Sequence, residues 1–248
     1  MDTYKLDEFN VEKINSMLSR FGIAQVDNYI VGHELNNLLV EFDNLQALVQ
    51  QDEFEFPHQV DEICCANIRL EKKIVNTNNF PHSSALFFSE AFENLSKRYF
   101  KTSSVSFNEE LFYCKHNESD QRINSLPYIF HFDKMHTLKY FLYLNDVGEE
   151  NGPLEVVLRS HKQNCRLRKK YLRNLQDLDN VVDPSICAEN TPLYALAGTL
   201  FVFDTDISHR AGHVMNGSYR KVIRGHTRLS SGSKPGNFLS RINNYFTN

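Results

Sequence analysis

Tyr128-Ile129-Phe130-His131-Phe132-Asp133 decides how this chain folds when it is read with Gly198-Thr199-Leu200-Phe201-Val202-Phe203-Asp204 and with His209 and Arg220 beyond them. Successive side chains of an extended strand point to opposite faces, so His131 and Asp133 project together while Phe132 packs behind them. The apolar run ending at Phe203 reads as a second strand that leads through Thr205 and Ser208 to His209. A His-x-Asp pair closed by a distant third His is the sequence form of the 2-His-1-carboxylate facial triad, which holds non-haem Fe(II) and leaves one face of the octahedron open. Arg220 lies eleven residues after His209, where a guanidinium would meet the far carboxylate of a 2-oxo diacid in a bidentate fork.

With ten histidines in the chain, a chance His-x-Asp is easy to find, and the pair alone proves little. The order of the segments downstream of it carries the reading. Lys139-Tyr-Phe-Leu-Tyr-Leu-Asn-Asp146 is a strand pattern, Glu150-Asn-Gly-Pro-Leu-Glu-Val-Val157 contains turn chemistry, and Ser160-His161 closes the block. In Asn151-Gly152-Pro153 the glycine admits a positive φ and the proline fixes its own.

This order resembles the phytanoyl-CoA dioxygenase family of Fe(II)/2-oxoglutarate-dependent oxygenases, from about Leu111 to Arg228 and more loosely over the N-terminal half. The resemblance implies that His131, Asp133 and His209 are the iron ligands and that Arg220 binds the C5 carboxylate of 2-oxoglutarate. Fe(II), 2-oxoglutarate as cosubstrate and O₂ are then the cofactors. Two positions depart from the family pattern. Leu158-Arg159-Ser160-His161 replaces Pro-Gly-Ser-His, and Gly198-Thr199 replaces a Gly-Asp turn. Neither is a ligand, so the departures bear on substrate choice. Because Asp133 is a carboxylate, and not the Gly or Ala of halogenating relatives, the resemblance implies hydroxylation in place of halogenation.

The resemblance also implies the fold: mainly β with flanking α, a double-stranded β-helix (jelly-roll, cupin-like) barrel braced by N-terminal helices. The chain is expected to be one domain over residues 1–248, with mainly helical support over 1–102, a jelly-roll core over 103–230 with an insertion at 162–190, and a C-terminal tail at 231–248. Helical spacing of apolar residues predicts helices from Val11 to Phe21, stopped by Gly22, from Gly32 to about Val49, and from Ser83 to about Tyr99. Ile23–Val26 reads as a short strand. The other strands are expected at Glu109–His116, Phe130–Asp133, Lys139–Leu144, Leu154–Leu158, Leu193–Leu196, Thr199–Phe203 and Arg220–Thr227.

Tyr128, three residues before His131, and Phe141, on one strand face with Lys139 and Tyr143, are candidate contacts for the cosubstrate, with a buried packing role as the alternative for each. Arg166, Arg168, Lys169, Lys170 and Arg173 form a basic run that is either a solvated helix face or, with Arg159, a device that steers or holds an anionic substrate. His136, His213 and His226 stand near the ligand segments in sequence. His161 is expected to make structural hydrogen bonds.

Composition fits a soluble enzyme acting on a small molecule. A net charge of -4 gives no nucleic-acid signature, and no stretch approaches a membrane span. The N-terminus lacks a charged-then-apolar signal pattern, so the cytoplasm is the default location. Cys64, Cys65, Cys114, Cys165 and Cys187 have no C-x-x-C spacing and read as reduced thiols. The expected activity is hydroxylation of an unactivated C–H of a small, biosynthetic and anionic substrate, with release of succinate and CO₂. The alternative is a non-catalytic cupin-like metal-binding module, or one that uses O₂ without 2-oxoglutarate. Oligomeric state is left open by the sequence.

Overall fold

The computed structural model describes residues 4–61, 66–76, 78–118, 124–183 and 189–230. Helix α1 (Val11–Phe21) starts at Asn10, whose side chain accepts the Lys13 N–H at 2.9 Å, and ends at Gly22 with φ 83°. A Cβ at Gly22 would lie 2.7 Å from His161 Nδ1, so both the left-handed turn and the close approach require glycine. Helix α2 (Gly32–Gln50) turns Leu38, Phe42 and Leu45 into the core.

Among the described residues eleven strands form two sheets. In chain order they are β1 (Lys5–Leu6), β2 (Ile23–Val26), β3 (Gln59–Asp61), β4 (Ala66–Glu71), β5 (Val105–Asn117), β6 (Leu138–Tyr143), β7 (Leu154–Val157), β8 (Thr191–Pro192), β9 (Leu200–Asp204), β10 (Ser208–Ala211) and β11 (Tyr219–Leu229). The major sheet runs β1-β2-β9-β6-β11-β5-β4-β3, and the minor sheet β10-β7-β8. Together they make the expected jelly-roll frame, open at its edges.

Alternation along the central strands explains the layering. Leu138, Tyr140, Leu142, Leu200, Val202 and Ile223 face the helices and join their core, whereas Phe141, Tyr143, Phe201, Phe203 and Val222 face the minor sheet. With both faces covered, β6 and β9 are buried throughout.

Several expectations need correction. The helix expected from Ser83 to Tyr99 is two: α4 (Pro81–Phe87) and α5 (Glu90–Tyr99). Ser89, extended at ψ 148°, breaks the path. Helix α4 begins at Pro81, and the carboxylate of Glu41 on α2 accepts the backbone N–H groups of His82 and Ser83, each at 3.0 Å. The N-terminal hundred residues also supply β1 to β4, half the strands of the major sheet. Phe130–Asp133 is not a regular strand; His131 makes single bridges to Val181 and His209. Leu193–Leu196 likewise gives way to β8 and a single bridge at Ala195. Each correction arises from partners distant in sequence.

Helix α3 (Lys72–Val75) and helix α6 (His161–Lys170) complete the fold. Among the described residues no helix is long and apolar enough to cross a membrane. Cys114 and Cys165 are buried and form no disulfide among the described residues, as expected of reduced thiols. Cys64, Cys65, Cys187 and the tail 231–248 lie outside the described residues.

Candidate metal centre

His131 and His209 are brought face to face by backbone pairing. His131 N–H donates to His209 O at 3.0 Å, and His209 N–H donates to His131 O at 2.8 Å. Asp133 N–H donates to Thr205 O at 2.9 Å, which fixes the second candidate ligand against the same loop. The two rings stand 4.5 Å apart between centroids.

The tautomers are set by the hydrogen bonds. His131 Nδ1 lies 2.9 Å from Ile129 O and His209 Nδ1 lies 2.8 Å from Ile207 O. A carbonyl oxygen only accepts, so each Nδ1 carries the proton and each Nε2 keeps its lone pair. Asp133 Oδ1 is 3.9 Å from His131 Nε2 and 3.6 Å from His209 Nε2. Bonds from one ion to nitrogen and oxygen run about 2.0–2.2 Å, so these separations can be bridged by a single cation. His209 Nε2 is buried and has no hydrogen-bond partner among the described residues. A lone pair left so in the interior is costly unless something binds it.

Charge placement is consistent with this. Burial alone would raise the Asp133 pKa, but the Lys139 ammonium, 2.8 Å from Oδ2, and the neighbouring His209 hold it well below the usual carboxylate range. Burial, the neighbouring His131 and Lys139 push His209 down to about 3, and burial lowers His131 as well. All three donors are therefore in their lone-pair forms at neutral pH.

The cluster opens into a cavity of about 260 Å³ between the sheets. Arg220 lines it, 1% exposed, with Nε and Nη1 unpartnered among the described residues. Phe141 lines it too, on one face of β6 with Lys139 and Tyr143. Tyr128 does not; it is buried against His213, with centroids 5.7 Å apart. Arg224, His116, Lys139 and Asn67 add to the polar lining. Arg224 and His116 were not singled out, yet the period of two from Arg220 along β11 points to Arg224, and His116 pairs with Arg220 across β5. A larger open groove of about 540 Å³ beside α2 includes Glu41, already committed to the start of α4.

One residue of the basic run has a structural part. Arg168 is buried and donates to both carboxylate oxygens of Asp206, from Nε at 2.8 Å and Nη2 at 2.7 Å, while Arg166 and Arg173 are exposed. None of these residues, nor Arg159, lines the cavity. The segment instead secures the loop that delivers His209: Asn164 Nδ2 donates to Asp206 O and Ser208 Oγ, and Ser208 N–H donates to Ser160 Oγ. His161 acts as expected, its Nε2 3.2 Å from Ser19 O, tying the end of α1 to this segment. His136 belongs to a separate cluster with Asp204 and Asp206, His213 is exposed, and His226 stacks on Phe112.

Comparison with known proteins places this geometry. The family model for phytanoyl-CoA dioxygenase (PhyH) matches residues 118–222. No curated protein matches the chain in sequence. Among solved structures, the non-haem alpha-ketoglutarate-dependent epimerase SnoN from nogalamycin biosynthesis aligns with a TM-score of 0.59 at 16% identity, over 88% of this chain and 82% of its own. AviO1 from Streptomyces viridochromogenes Tue57 aligns with a TM-score of 0.58 at 17% identity, over 92% and 98%. HygX from Streptomyces hygroscopicus, solved with nickel and 2-oxoglutarate bound, aligns with a TM-score of 0.59 at 11% identity, over 89% and 87%. Over residues 118–222 the chain is thus similar to the phytanoyl-CoA dioxygenase family, and that stretch spans both candidate ligand segments and Arg220.

Proposed function

We propose that the protein is an Fe(II)/2-oxoglutarate-dependent oxygenase that hydroxylates an unactivated C–H bond of a small molecule. One observation carries the reading: two histidine Nε2 lone pairs and one carboxylate converge in the same cavity as buried Arg220, whose Nε and Nη1 have no partner among the described residues. His131, Asp133 and His209 would hold the metal, and Arg220 the far carboxylate of the cosubstrate. A metal-binding module with no 2-oxo acid would leave Arg220 buried without a counter-charge. HygX supports the cofactor pair by analogy, since its structure contains nickel and 2-oxoglutarate.

When bound, iron(II) and 2-oxoglutarate supply O₂ activation and hydrogen abstraction, with 2-oxoglutarate released as succinate and CO₂. The chain positions and shields. The carbonyls of Ile129 and Ile207 fix the two imidazoles in the ligating tautomer, as acceptors behind a ligating histidine do at metal sites. Lys139 occupies Oδ2 of Asp133 and leaves Oδ1 facing the histidines. Phe141 and Phe203 line an apolar wall that excludes water from the reacting centre. Phe141 thus serves the cosubstrate pocket as part of its wall, whereas Tyr128, away from the lining, is assigned to packing.

The test is anaerobic titration of apoprotein with Fe(II) and 2-oxoglutarate, followed by the visible charge-transfer band of the chelate. A band in wild type that is lost in Asp133→Ala, and that requires far more 2-oxoglutarate in Arg220→Ala, is the expected result. No band in iron-loaded wild type would reject the assignment. A second outcome is favoured by the likeness to SnoN, an epimerase: hydrogen removed from one face and hydrogen delivered to the other, with an external reductant supplying two electrons and the second oxygen atom leaving as water. Product mass under ¹⁸O₂ separates the two, since only hydroxylation adds one heavy oxygen.

A further inference from the structure

We infer that Arg224 is a second anion-binding residue of the cavity and that the substrate carries a carboxylate or phosphate group which it recognises. This rests on the Fe(II)/2-oxoglutarate reading of the same site. Lys139, Arg220 and Arg224 line the cavity against Asp133, the one lining carboxylate among the described residues. Two positive charges are therefore uncompensated, and iron(II) together with the 2-oxoglutarate dianion adds none. His116 and His226 do not change this balance. Burial, with Arg220 and Arg224 beside one and Lys139 and Arg224 beside the other, holds both well below the usual histidine range, hence neutral.

Arg224 is not occupied elsewhere. Its guanidinium lies 4.6 Å from the centroid of the Phe112 ring, and its Nε is buried with no hydrogen-bond partner among the described residues. Stacking on Phe112 leaves the edge of the fork available while holding the plane in place, the arrangement that suits a carboxylate or phosphate. Nor is Arg224 a second grip for the same cosubstrate carboxylate. Four residues along a strand separate the Arg220 and Arg224 Cα atoms by about 13 Å. On the neighbouring strand Arg224 pairs with Phe141, and its charge is felt by Lys139, which holds Asp133. Arg220 thus serves the far end of 2-oxoglutarate, and Arg224 the metal end, where a substrate enters.

Inorganic phosphate and acetate are suitable probes. Each is titrated calorimetrically into anaerobic protein carrying Fe(II) and saturating 2-oxoglutarate, with the charge-transfer band monitored throughout. Saturable binding that leaves the band in place is expected. The Arg224→Gln variant should raise the anion dissociation constant roughly tenfold or more with the 2-oxoglutarate midpoint unchanged, and Arg224→Lys should recover part of the loss. The tighter of the two probes identifies the substrate group. Anions that bind only by displacing 2-oxoglutarate, or an Arg224→Gln variant that binds them as wild type does, would overturn the assignment. So would loss of 2-oxoglutarate binding in Arg224→Gln but not in Arg220→Gln. A wild type without the band breaks the cofactor reading instead; the same titrations on the protein alone then decide Arg224 by the same tenfold criterion.

Discussion

Two clusters of histidine and aspartate lie at opposite ends of the same short loop, and they behave differently. His131, Asp133 and His209 put their donor atoms within 4.8 Å of one another, and so do His136, Asp204 and Asp206. In the second cluster every group has a protein partner. Arg168 takes both oxygens of Asp206, His136 Nε2 is 3.1 Å from Asp204 Oδ1, and Tyr99 OH is 3.0 Å from the same nitrogen. In the first, the imidazole Nδ1 atoms are spent on carbonyls and the Nε2 atoms face an open cavity. Composition and proximity are therefore a poor guide to a metal site. What marks one is buried donor capacity with no internal partner, because folding leaves that cost only where a ligand removes it.

The largest effect should come from breaking one acid in each cluster. Asp133→Ala is expected to lower Fe(II) affinity by at least about 100-fold, beyond the range seen when only a ligand's hydrogen-bond partner is lost, with a stability cost of its own because the buried Lys139 loses its partner. Asp206→Ala should spare the metal: it strands the buried Arg168 and costs about 3–5 kcal/mol in urea unfolding, but the folded protein still binds Fe(II). Equal metal loss in both variants would dissolve the distinction between the clusters. Replacing the whole ion pair sharpens it. Arg168→Leu with Asp206→Leu should recover most of the stability lost by Asp206→Ala, since an apolar pair has no charge to strand. A double variant as unstable as the single one would mean that the pair has a further partner.

Asn164→Ala tests the link between the two regions. It removes donors to Asp206 O and Ser208 Oγ, and a loss of about 1–3 kcal/mol is expected, with weaker Fe(II) binding because the strand carrying His209 loosens. Unchanged metal affinity would show that the bridge between His131 and His209 holds the site unaided.

The last effect is graded with pH. His209, His131, His116 and His226 all have folded pKa values below the unfolded one, so the unfolded chain takes up protons that the folded apoprotein refuses. Stability is full above the unfolded value of about 6.5 and is lost as pH falls toward the folded values, about 3 for His209, by at most about 1.4 kcal/mol per pH unit for each histidine. Urea midpoints of metal-free protein should fall steadily below pH 6.5, and less steeply in His209→Gln. A flat profile would contradict the buried neutral imidazoles.

The candidate ligand types, their order and the strand period were legible because they are local. His131 and Asp133 are two residues apart, Arg220 comes after His209 at a fixed interval, and the alternation through Lys139, Phe141 and Tyr143 assigns faces without knowledge of neighbours. Helices α1 and α2 were legible from their apolar stripes, and Gly22 from its position past the last of them. The tertiary structure alone decided the rest. Arg168 looked like its basic neighbours until the fold set it against Asp206. Tyr128 and Phe141 were equivalent candidates until packing sent one against His213 and the other into the cavity wall. The split between α4 and α5, the strands drawn from the N-terminal third and the unpartnered Arg224 depend on residues tens of positions away. A side chain's type is written in the sequence, but whether its hydrogen-bonding and charge capacity is used or left over depends on which distant partners the folded chain brings to it.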